Sequence, residues 1–364
     1  MTTNSTLPPL QTGPAAWIGA EMAQRADEWQ IELTAAEIAE VEATAARFLP
    51  AGGDKTADDA TRIGAMTQRD FPLPTLGPKL LDLRRELLHG RGFALLRGLP
   101  VATYTEREAV TIFYGLGTHL GNARSQNAKG HILGHVRDLG VSSNNPNVRI
   151  YQTAERQTFH TDSTDVVGLL CLHPAKAGGL SLLVSAQTIF NELRRDHPDL
   201  LALLLQPIAT DRRGEVPAGM LPYLLIPVFT WYQGYLTPFY QRQYIDSAQR
   251  FAEAPRLTDR HIAALDRFDE LTNDPRLHFA MQLERGDMQF VYNHALLHDR
   301  TGFEDWPELE RRRHLLRLWL SVPGDRPLHP EFATRFGTVE IGNRGGIVVP
   351  GTAFRVPWTH ELTV

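Results

Sequence analysis

Apolar residues at helical spacing dominate the early part of the chain. Thr34 and Glu37 form the residue pair of a capping box, ahead of an amphipathic stretch that contains Val41 and Phe48. The segment KLLDLRRELLHG predicts a second helix that stops at a glycine, and the pattern over residues 103–120 predicts a third. Helices are therefore expected in the first third of the chain.

Strands are predicted mainly in the last third. Apolar and polar residues alternate over residues 277–283, a Gly-Asp pair follows at 286–287, and MQFVY resumes the pattern, which predicts a β-hairpin. RRRHLLRLWLSVPG predicts a further strand, although its Arg and Leu positions would also tolerate a helix. Earlier in the chain, the short run GFALLRGLP predicts a buried strand.

This distribution predicts an α+β fold around an antiparallel sheet or a barrel-like sandwich. Residues 1–32 are rich in Pro, Thr and Ala and are expected to form an N-terminal arm with little regular structure. Residues 33–364 are expected to form a single domain with a helical insertion at about 207–275. The segments 51–60 and 121–149 are expected to be loops, because they are polar or rich in glycine and asparagine.

Composition narrows the class of partner. The chain has 364 residues, of which 42% are hydrophobic and 22% charged, so it has enough apolar side chains for a sizeable core. Lys and Arg total 37 against 42 Asp and Glu, and no long basic run occurs, which argues against nucleic acid as a partner. A small-molecule partner is expected, and assembly into a homo-oligomer is left open.

A single cysteine and the absence of long apolar segments bear on location. Cys171 lies in the apolar context GLLCLHP, so it is expected to be a packed core thiol, and no intrachain disulfide is possible. The first 17 residues lack the basic and apolar regions of a secretory signal peptide. The most apolar stretch, GMLPYLLIPVF, is too short to span a bilayer. A cytoplasmic protein without membrane contact is expected.

The stretch FHTDSTDVVGLL places His160 and Asp162 two residues apart, so on a strand both would face the same side. Two imidazoles and one carboxylate can bind Fe(II) on one face and leave other positions open. The third ligand would come from YNHALLHDRTGF, which offers His294 and His298. The alternative is a hydrogen-bonded His–Asp pair at a loop. The competing motif HILGH lacks the glutamate of a zinc protease, since Ile132 takes its place.

Two arginines on the predicted late strand extend this constellation. Arg313 and Arg317 would share a face of a strand but lie roughly 13 Å apart, so they would serve different groups. One could hold the far end of a dicarboxylate through the two parallel hydrogen bonds of a guanidinium, while the other lies near a metal or a substrate. Arg317 stands among apolar residues and is expected to have a partner, whereas a solvated basic edge explains Arg311 and Arg312.

Several side chains are candidates for a substrate pocket. Tyr151 and Phe159 lie near the predicted ligand strand, Trp231 and Tyr232 belong to the aromatic stretch FTWYQGYLTPFYQRQY, and Asn293 adjoins the candidate histidines. Ordinary core and lid packing is the alternative for each aromatic residue. The identity of the substrate does not follow from these positions.

Four motifs occur in a fixed order: FHTD, AGGLSLL, GDMQFVYNHALLHDRTGF and RRHLLRLWL. Together they resemble the taurine dioxygenase-like (TauD/TfdA) family of Fe(II)/2-oxoglutarate-dependent oxygenases over residues of about 92–322. The resemblance implies a double-stranded β-helix (jelly-roll) core with flanking helices and helical insertions. It also implies Fe(II), with 2-oxoglutarate and O2 as cosubstrates, and hydroxylation or desaturation of an unactivated C–H bond with release of succinate and CO2.

The resemblance assigns His160, Asp162 and His298 as iron ligands. It assigns Ser181, after the Gly-Gly pair, and Arg313 to the carboxylate of 2-oxoglutarate, with Arg317 as the second arginine of an R-x-x-x-R pair. The gap between the distal histidine and the first arginine is longer than in the shortest family members, which leaves the register of the arginines open.

Family members that halogenate replace the carboxylate ligand with a small residue, so the presence of Asp162 disfavours halogenation.

Two further readings differ in class from an oxygenase. A zinc-dependent hydrolase on the same scaffold would leave Ser181 and Arg313 without a role. A non-catalytic ligand-binding jelly roll would not need the intact set of metal ligands.

Overall fold

A computed structural model describes residues 7–49, 57–141, 149–216, 219–349 and 351–358. Parts of the two expected loops, residues 51–56 and 142–148, lie outside the described residues. The helices are α1 (Gly19–Met22), α2 (Ala26–Trp29), α3 (Ala35–Phe48), α4 (Ala57–Gly64), α5 (Leu76–His89), α6 (Glu106–Leu120), α7 (Ala186–Asp196), α8 (Pro198–Leu204), α9 (Arg242–Ala248), α10 (Asp259–Thr272) and α11 (Ala333–Phe336).

Together with these helices, the strands give a mixed α/β architecture with a large, mainly antiparallel sheet. They are β1 (Gln30–Glu32), β2 (Phe93–Arg97), β3 (Asn122–Ala123), β4 (Gly134–Val136), β5 (Gln157–His160), β6 (Val166–His173), β7 (Ala177–Gly178), β8 (Ser181–Ser185), β9 (Ile208–Asp211), β10 (Tyr223–Ile226), β11 (Phe229–Tyr232), β12 (Tyr235–Pro238), β13 (His278–Met281), β14 (Met288–Tyr292), β15 (Leu296–Arg300), β16 (Phe303–Glu304) and β17 (His314–Ser321).

Two sheets organise the core. The seven-stranded sheet has the order β1-β2-β14-β6-β17-β3, with β4 also paired to β17, and the four-stranded sheet has the order β13-β8-β15-β5. The sheets pack on each other: the rings of Phe93 in β2 and Phe279 in β13 lie 5.3 Å apart, centroid to centroid. Leu183 of β8 belongs to the same buried cluster as Leu318 of β17. Burial of these apolar faces is the main stabilising contribution.

Helices cover the outer faces of both sheets. Helices α5 and α6 pack on the large sheet, where the rings of Phe113 in α6 and Phe290 in β14 lie 6.3 Å apart. On the small sheet, Val184 of β8 shares a second buried cluster with Phe190 of α7 and Phe268 of α10. The two sheets are thus enclosed on their outer faces. Among the described residues, no helix combines the length and apolar character needed to cross a bilayer.

The early helices and strands follow the predicted pattern. Glu37 N donates to Thr34 Oγ1 over 3.3 Å, and Thr34 N donates to Glu37 Oε2 over 2.8 Å, so the predicted capping box is confirmed. The second predicted helix is α5, which ends at His89. The third is α6, which begins after the N-cap Thr105, slightly later than expected. The late Arg- and Leu-rich segment is a strand, β17, and Cys171 is buried as expected.

The predicted hairpin after residue 277 is wrong. Strand β13 pairs with β8 in the small sheet, whereas β14 pairs with β2 and β6 in the large sheet. The chain crosses between sheets at Gly286, whose φ is +91° and where an added Cβ would lie 2.0 Å from the carbonyl oxygen of Leu99. Alternation along a strand records which face is buried, and it carries no information on which strand is the partner.

Two expectations about the outer parts of the chain are also corrected. The insertion at 207–275 is mixed rather than helical, because β9 pairs with β10 and β11 pairs with β12 alongside α9 and α10. Residues 17–32 are packed into the fold rather than forming a loose arm: Trp17 and Trp29 are buried, and β1 pairs in parallel with β2. The indole rings supply the apolar area that holds this segment in place.

Candidate metal centre and its cavities

Two neighbouring strands of the small sheet carry the candidate imidazoles. His160 is the last residue of β5, His298 is the central residue of β15, and the two are direct cross-strand partners. Their ring centroids lie 4.2 Å apart. Asp162 lies two residues after the end of β5, and its carboxylate lies beside both imidazoles.

The three side chains form a compact donor set. His160 Nε2 lies 3.9 Å from Asp162 Oδ1, and His298 Nε2 lies 4.0 Å from Asp162 Oδ2. One ligand atom of each residue lies within 4.8 Å of the other two. His294, the alternative third ligand, is directed elsewhere: its Nε2 lies 2.8 Å from Asp165 Oδ1. The histidine that completes the donor set with His160 and Asp162 is therefore His298.

The surroundings keep both imidazoles neutral and the carboxylate charged. Burial, together with the neighbouring His160, lowers the pKa of His298 to about 3 despite the opposing effect of Asp162. Burial also lowers the pKa of His160. For Asp162, burial alone would raise the pKa, but the positive charge of Arg317 leads a set of effects that lower it. Two neutral nitrogen donors and one carboxylate are the ligand set of mononuclear non-heme iron sites.

Hydrogen bonds fix the orientation of two of the three candidate ligands, His160 and Asp162. His160 Nδ1 lies 2.8 Å from the carbonyl oxygen of Thr158, which leaves Nε2 facing Asp162. The amide of Gln157 lies 2.8 Å from that Nε2, next to the electron pair that a metal would take. Trp319 Nε1 donates to Asp162 Oδ2 over 2.8 Å. The Nδ1 of His298 is buried and has no hydrogen-bond partner among the described residues.

A first cavity joins this donor set to Ser181 and Arg313. It encloses about 520 Å³, part of it open to solvent, and all three candidate metal ligands line it. Arg313 is buried, and burial lowers its pKa to about 10. Its Nη1 has no hydrogen-bond partner among the described residues, so a donor is free for a ligand carboxylate. The Oγ of Ser181 donates to Gln289 Oε1 over 2.9 Å.

Close packing behind the arginine directs it into this cavity. A Cβ added to Gly179 would lie 3.2 Å from Arg313 Nε, so the second glycine of the Gly-Gly pair makes room for the guanidinium. Arg313 N donates to Asp305 Oδ1 over 2.7 Å, which fixes the start of β17. The residues present therefore fit a small dicarboxylate whose far end meets Arg313.

Arg317 lies beside the donor set, as a buried charge with partners. Its Nη1 is 3.8 Å from Asp162 Oδ2, and its Nε donates to Gln126 Oε1 over 2.8 Å. Its guanidinium also lies over the rings of Tyr151 and Trp319, at 4.6 Å and 4.9 Å from their centroids. In contrast, Arg311 is half exposed and lies over the ring of Trp306, consistent with the solvated edge expected there.

The structure brings only part of the predicted substrate pocket to the donor set. Tyr151 lines the first cavity. Phe159 is fully buried in the cluster beneath the small sheet, where its ring packs against His278. Trp231 lines a separate surface groove, and the ring of Tyr232 packs against His329. These three aromatic residues lie outside the lining of both cavities at the donor set, because β11 lies in the insertion and β5 directs Phe159 away from its histidine.

Asn293 contacts the loop of the donor set rather than either cavity. It is buried, and its Oδ1 accepts a hydrogen bond from the backbone N of Asp162 over 2.9 Å. Asn293 therefore holds the loop that carries the carboxylate ligand and is absent from the lining of both cavities at the donor set. An amide at this position can accept from a backbone N–H without adding charge.

A second cavity on the donor set contains residues that sequence reasoning missed. Arg149, Tyr244 and Arg335 line it together with His160 and Asp162. Arg335 lies beyond residue 322, outside the segment that carries the four motifs, and Arg149 lies within an expected loop. A charged residue is ordinarily solvated, so neither position carried a signal of burial in the sequence.

The family follows from comparison with known proteins. The model of the family described as "Taurine catabolism dioxygenase TauD, TfdA family" matches residues 56–319, most of the chain. The chain belongs to this family. It is 32% identical to FR-33289 synthase of Streptomyces rubellomurinus over 329 residues, covering 89% of this chain and 94% of that protein. It is also 30% identical to the taurine hydroxylase-like protein SAT17 of Stachybotrys chartarum, covering 85% and 81%.

Solved structures share the fold at lower identity. An asparagine oxygenase in complex with Fe(II), 3-hydroxyasparagine and succinate matches with a TM-score of 0.59 and 17% identity, covering 80% of this chain and 93% of that chain. The non-heme iron oxygenase OrfP, in complex with Fe and alpha-ketoglutaric acid, matches with a TM-score of 0.58, 15% identity and coverage of 80% and 93%.

The protein is therefore a dioxygenase of the Fe(II)- and 2-oxoglutarate-dependent class, and O2 is its second cosubstrate. Family membership favours this class over the readings of a zinc-dependent hydrolase and of a non-catalytic ligand-binding protein. The predicted class of enzyme and its cofactors are confirmed.

Proposed function

We propose that the enzyme oxidises an unactivated C–H bond of a small organic molecule at an Fe(II) ion held by His160, Asp162 and His298. The observation that carries this assignment is the convergence of two neutral imidazoles and one carboxylate where two cavities meet. In this proposal the first cavity takes 2-oxoglutarate and the second takes the substrate. When bound, iron and its cosubstrates supply the oxidising chemistry, with succinate and CO2 as by-products.

Arg313 and Ser181 are proposed to hold the distal carboxylate of 2-oxoglutarate. The unpartnered Nη1 of Arg313 and the hydroxyl of Ser181 both face the first cavity, which ends at the metal ligands. A buried guanidinium without a counter-ion favours an incoming carboxylate strongly, because neither group is solvated there. Gln289 holds the Ser181 hydroxyl in place.

The residues around the donor set orient the ligands and exclude water. Trp319 and Asn293 hold the side chain and the backbone of Asp162, so the carboxylate keeps a fixed direction. Arg317, stacked on Tyr151, is proposed to close the space between the two cavities. Hydroxylation is the outcome that the family and the site support, and desaturation of the same position is the alternative.

The remaining parts of the proposal concern the whole chain. We infer a double-stranded β-helix core, supported by the packing of the two sheets and by the crossing of consecutive strands from one sheet to the other. The described residues of 33–364 are proposed to form one catalytic domain with its core at about 92–322. A cytoplasmic location is proposed because a chain with a single cysteine suits a reducing compartment.

Iron binding by variants tests the ligand assignment. His298→Ala should lose Fe(II) under anaerobic conditions, with retained secondary structure by circular dichroism. His89→Ala is the matched control, because His89 is an exposed histidine at the end of α5, distant in sequence from the site. Equal iron content in wild type, His298→Ala and His89→Ala would contradict the assignment. The readout does not depend on knowing the substrate.

A further inference from the structure

The chain returns to the donor set after its last strand. Residues 333–347, called here the C-terminal segment, pack against the loop of residues 161–165. This loop joins β5 to β6 and carries Asp162, and it is called the ligand loop. The match to the family model ends at residue 319, before the C-terminal segment begins. The contacts between segment and loop therefore add to what the family model describes.

The C-terminal segment approaches the ligand loop at backbone distance. Gly346 N donates to the carbonyl oxygen of Ser163 over 2.8 Å, and Arg335 Nε donates to Ser163 Oγ over 2.6 Å. Gly345 has a φ of +81°, and a Cβ added there would lie 2.8 Å from the same carbonyl oxygen. Both the backbone angle and the close approach favour glycine at this position. The close fit therefore constrains the backbone of the ligand loop.

One buried arginine ties the segment to the end of the ligand loop. Arg344 is fully buried, and its Nε lies 2.7 Å from Asp165 Oδ1 while its Nη2 lies 2.7 Å from Asp325 Oδ2. Arg344 N also donates to Ser321 Oγ, at the end of β17, over 3.0 Å. Asp165 Oδ2 accepts from the backbone N of Val322 over 2.9 Å. Charge-assisted hydrogen bonds are stronger than neutral ones, so they hold Asp165 in place.

Asp165 joins the ligand loop to the turn before β15. Its carbonyl oxygen accepts from Asn293 N over 2.9 Å, and its Oδ1 lies 2.8 Å from His294 Nε2. The side chain of Asn293 reaches back to the loop, where its Oδ1 accepts from Asp162 N over 2.9 Å. His298 lies four residues after His294, on the strand that follows this turn. The position of Asp165 therefore affects the direction of Asp162 and its spacing from His298.

A second metal ion is the alternative partner for these acidic groups. Asp165, His294 and Asp325 offer ligand atoms within 4.8 Å of one another, close enough to hold one ion. The guanidinium of Arg344 already lies within hydrogen-bond distance of both carboxylates, and all four side chains are buried. A metal ion there would meet the positive charge of the guanidinium at close range, which is unfavourable in a buried site. The cation of this cluster is therefore Arg344.

We propose that Arg344 is a positioning residue for the metal centre and acts on Asp162 through Asp165 and Asn293. The proposal rests on the proposed function, because it takes the three side chains of the donor set as the iron ligands. Residues that hold metal ligands set the direction of those ligands, so their loss weakens metal binding. The affinity and the coordination geometry of the site thus depend on a segment outside the match to the family model.

Metal binding by full-length variants tests this role without knowledge of the substrate. Fe(II) affinity is measured anaerobically by calorimetry, and Co(II) is a second probe because its visible bands report the geometry of its ligands. Arg344→Met should bind Fe(II) about tenfold more weakly, the lower end of the effect of residues that support metal ligands, and should shift the Co(II) bands. Arg344→Lys keeps a positive charge beside the carboxylates and should recover part of both properties.

Arg97→Met is the matched control. Arg97 Nη2 donates to Asp287 Oδ2 over 2.7 Å, and Asp287 is buried just before β14, whereas Asn293 follows the other end of that strand. The substitution also leaves a buried carboxylate without its cation, so it lowers stability away from the ligand loop. Wild-type Fe(II) affinity and Co(II) bands are expected in this variant. Circular dichroism at the temperature of the measurement shows that each variant is folded.

Each outcome decides the proposal. Weaker Fe(II) binding and shifted Co(II) bands in Arg344→Met, with partial recovery in Arg344→Lys, support it. Wild-type values in Arg344→Met, or an equal loss of affinity in Arg97→Met, would overturn it, because the network would then stabilise the fold alone. If Arg344→Met does not fold, Gly345→Ala decides in the same way, since its Cβ would displace the ligand loop at Ser163. A wild type that binds neither metal would overturn the proposed function itself, so the two failures are distinguishable.

Discussion

His160 and His298 are direct cross-strand partners, and their rings meet 4.2 Å apart at the edge of the small sheet. The register of β5 and β15 shifts immediately after this pair, between His298 and Arg300. A local irregularity of this kind redirects side chains at the end of a ladder. The pairing explains how residues more than 130 positions apart in the sequence can present two nitrogen atoms to one ion.

Removal of the carboxylate ligand should abolish iron binding and turnover while the fold is retained. In Asp162→Ala, Trp319 Nε1 loses its acceptor and the donor set keeps only two imidazoles. Iron content after anaerobic loading and 2-oxoglutarate consumption are the measurements. Full activity in this variant, with bound iron, would contradict the assignment of the metal ligands.

Loss of the buried guanidinium should weaken 2-oxoglutarate binding selectively. Arg313→Met is expected to raise the apparent KM for 2-oxoglutarate about tenfold to a hundredfold, the equivalent of a charge-assisted hydrogen bond of about 1.5–3 kcal/mol. Iron affinity should change little, because Arg313 meets the cavity away from the donor set. An unchanged KM would show that the cosubstrate carboxylate binds elsewhere. Arg311→Met, at an exposed neighbour, serves as the control.

A buried ion network behind the site should contribute strongly to stability. Arg344 is fully buried and lies 2.7 Å from both Asp165 and Asp325. Arg344→Met should lower the free energy of unfolding by about 3–5 kcal/mol, because it leaves two carboxylates buried without their cation. Urea denaturation followed by circular dichroism gives the value. A loss below that of the surface variant Arg260→Met would refute this account of the network.

The stability of the protein should fall as the pH is lowered towards 4. Burial, with the positive charges of Arg355 and Lys129, lowers the pKa of His131 from its ordinary value of 6.5 to about 4. Between those values the unfolded chain takes up a proton that the folded chain does not, so the free energy of unfolding rises with pH across this window. Urea unfolding at pH 5 and pH 7.5 measures the difference. His131→Gln should reduce the pH dependence, and an unaltered dependence would rule out this origin.

The candidate metal ligands could be proposed from the sequence because they lie in short local motifs. His160 and Asp162 are two residues apart, and His298 follows a strand in the motif that resembles the family. The helix cap at Thr34 was equally local and is confirmed. Signals of this kind depend on a few consecutive residues, so they can be recognised without knowledge of the tertiary fold.

The features that were missed depend on long-range pairing. Alternation around residue 280 was the same for a hairpin as for two strands in different sheets, and only the tertiary fold decides between them. Phe159 was placed in a pocket because it adjoins His160, yet neighbouring residues on a strand point to opposite faces. Arg149 and Arg335 meet at Glu215 only after segments distant in sequence come together.

The most direct test of the central claim is an anaerobic titration of the protein with Fe(II) and then with 2-oxoglutarate, followed by visible absorption. The assignment predicts a weak charge-transfer band from iron to 2-oxoglutarate in the wild type, no band in Asp162→Ala, and a band in Arg313→Met only at higher concentrations of 2-oxoglutarate. Iron bound to the wild type without a band at saturating 2-oxoglutarate would contradict the claim that these cavities assemble the cosubstrate on the metal.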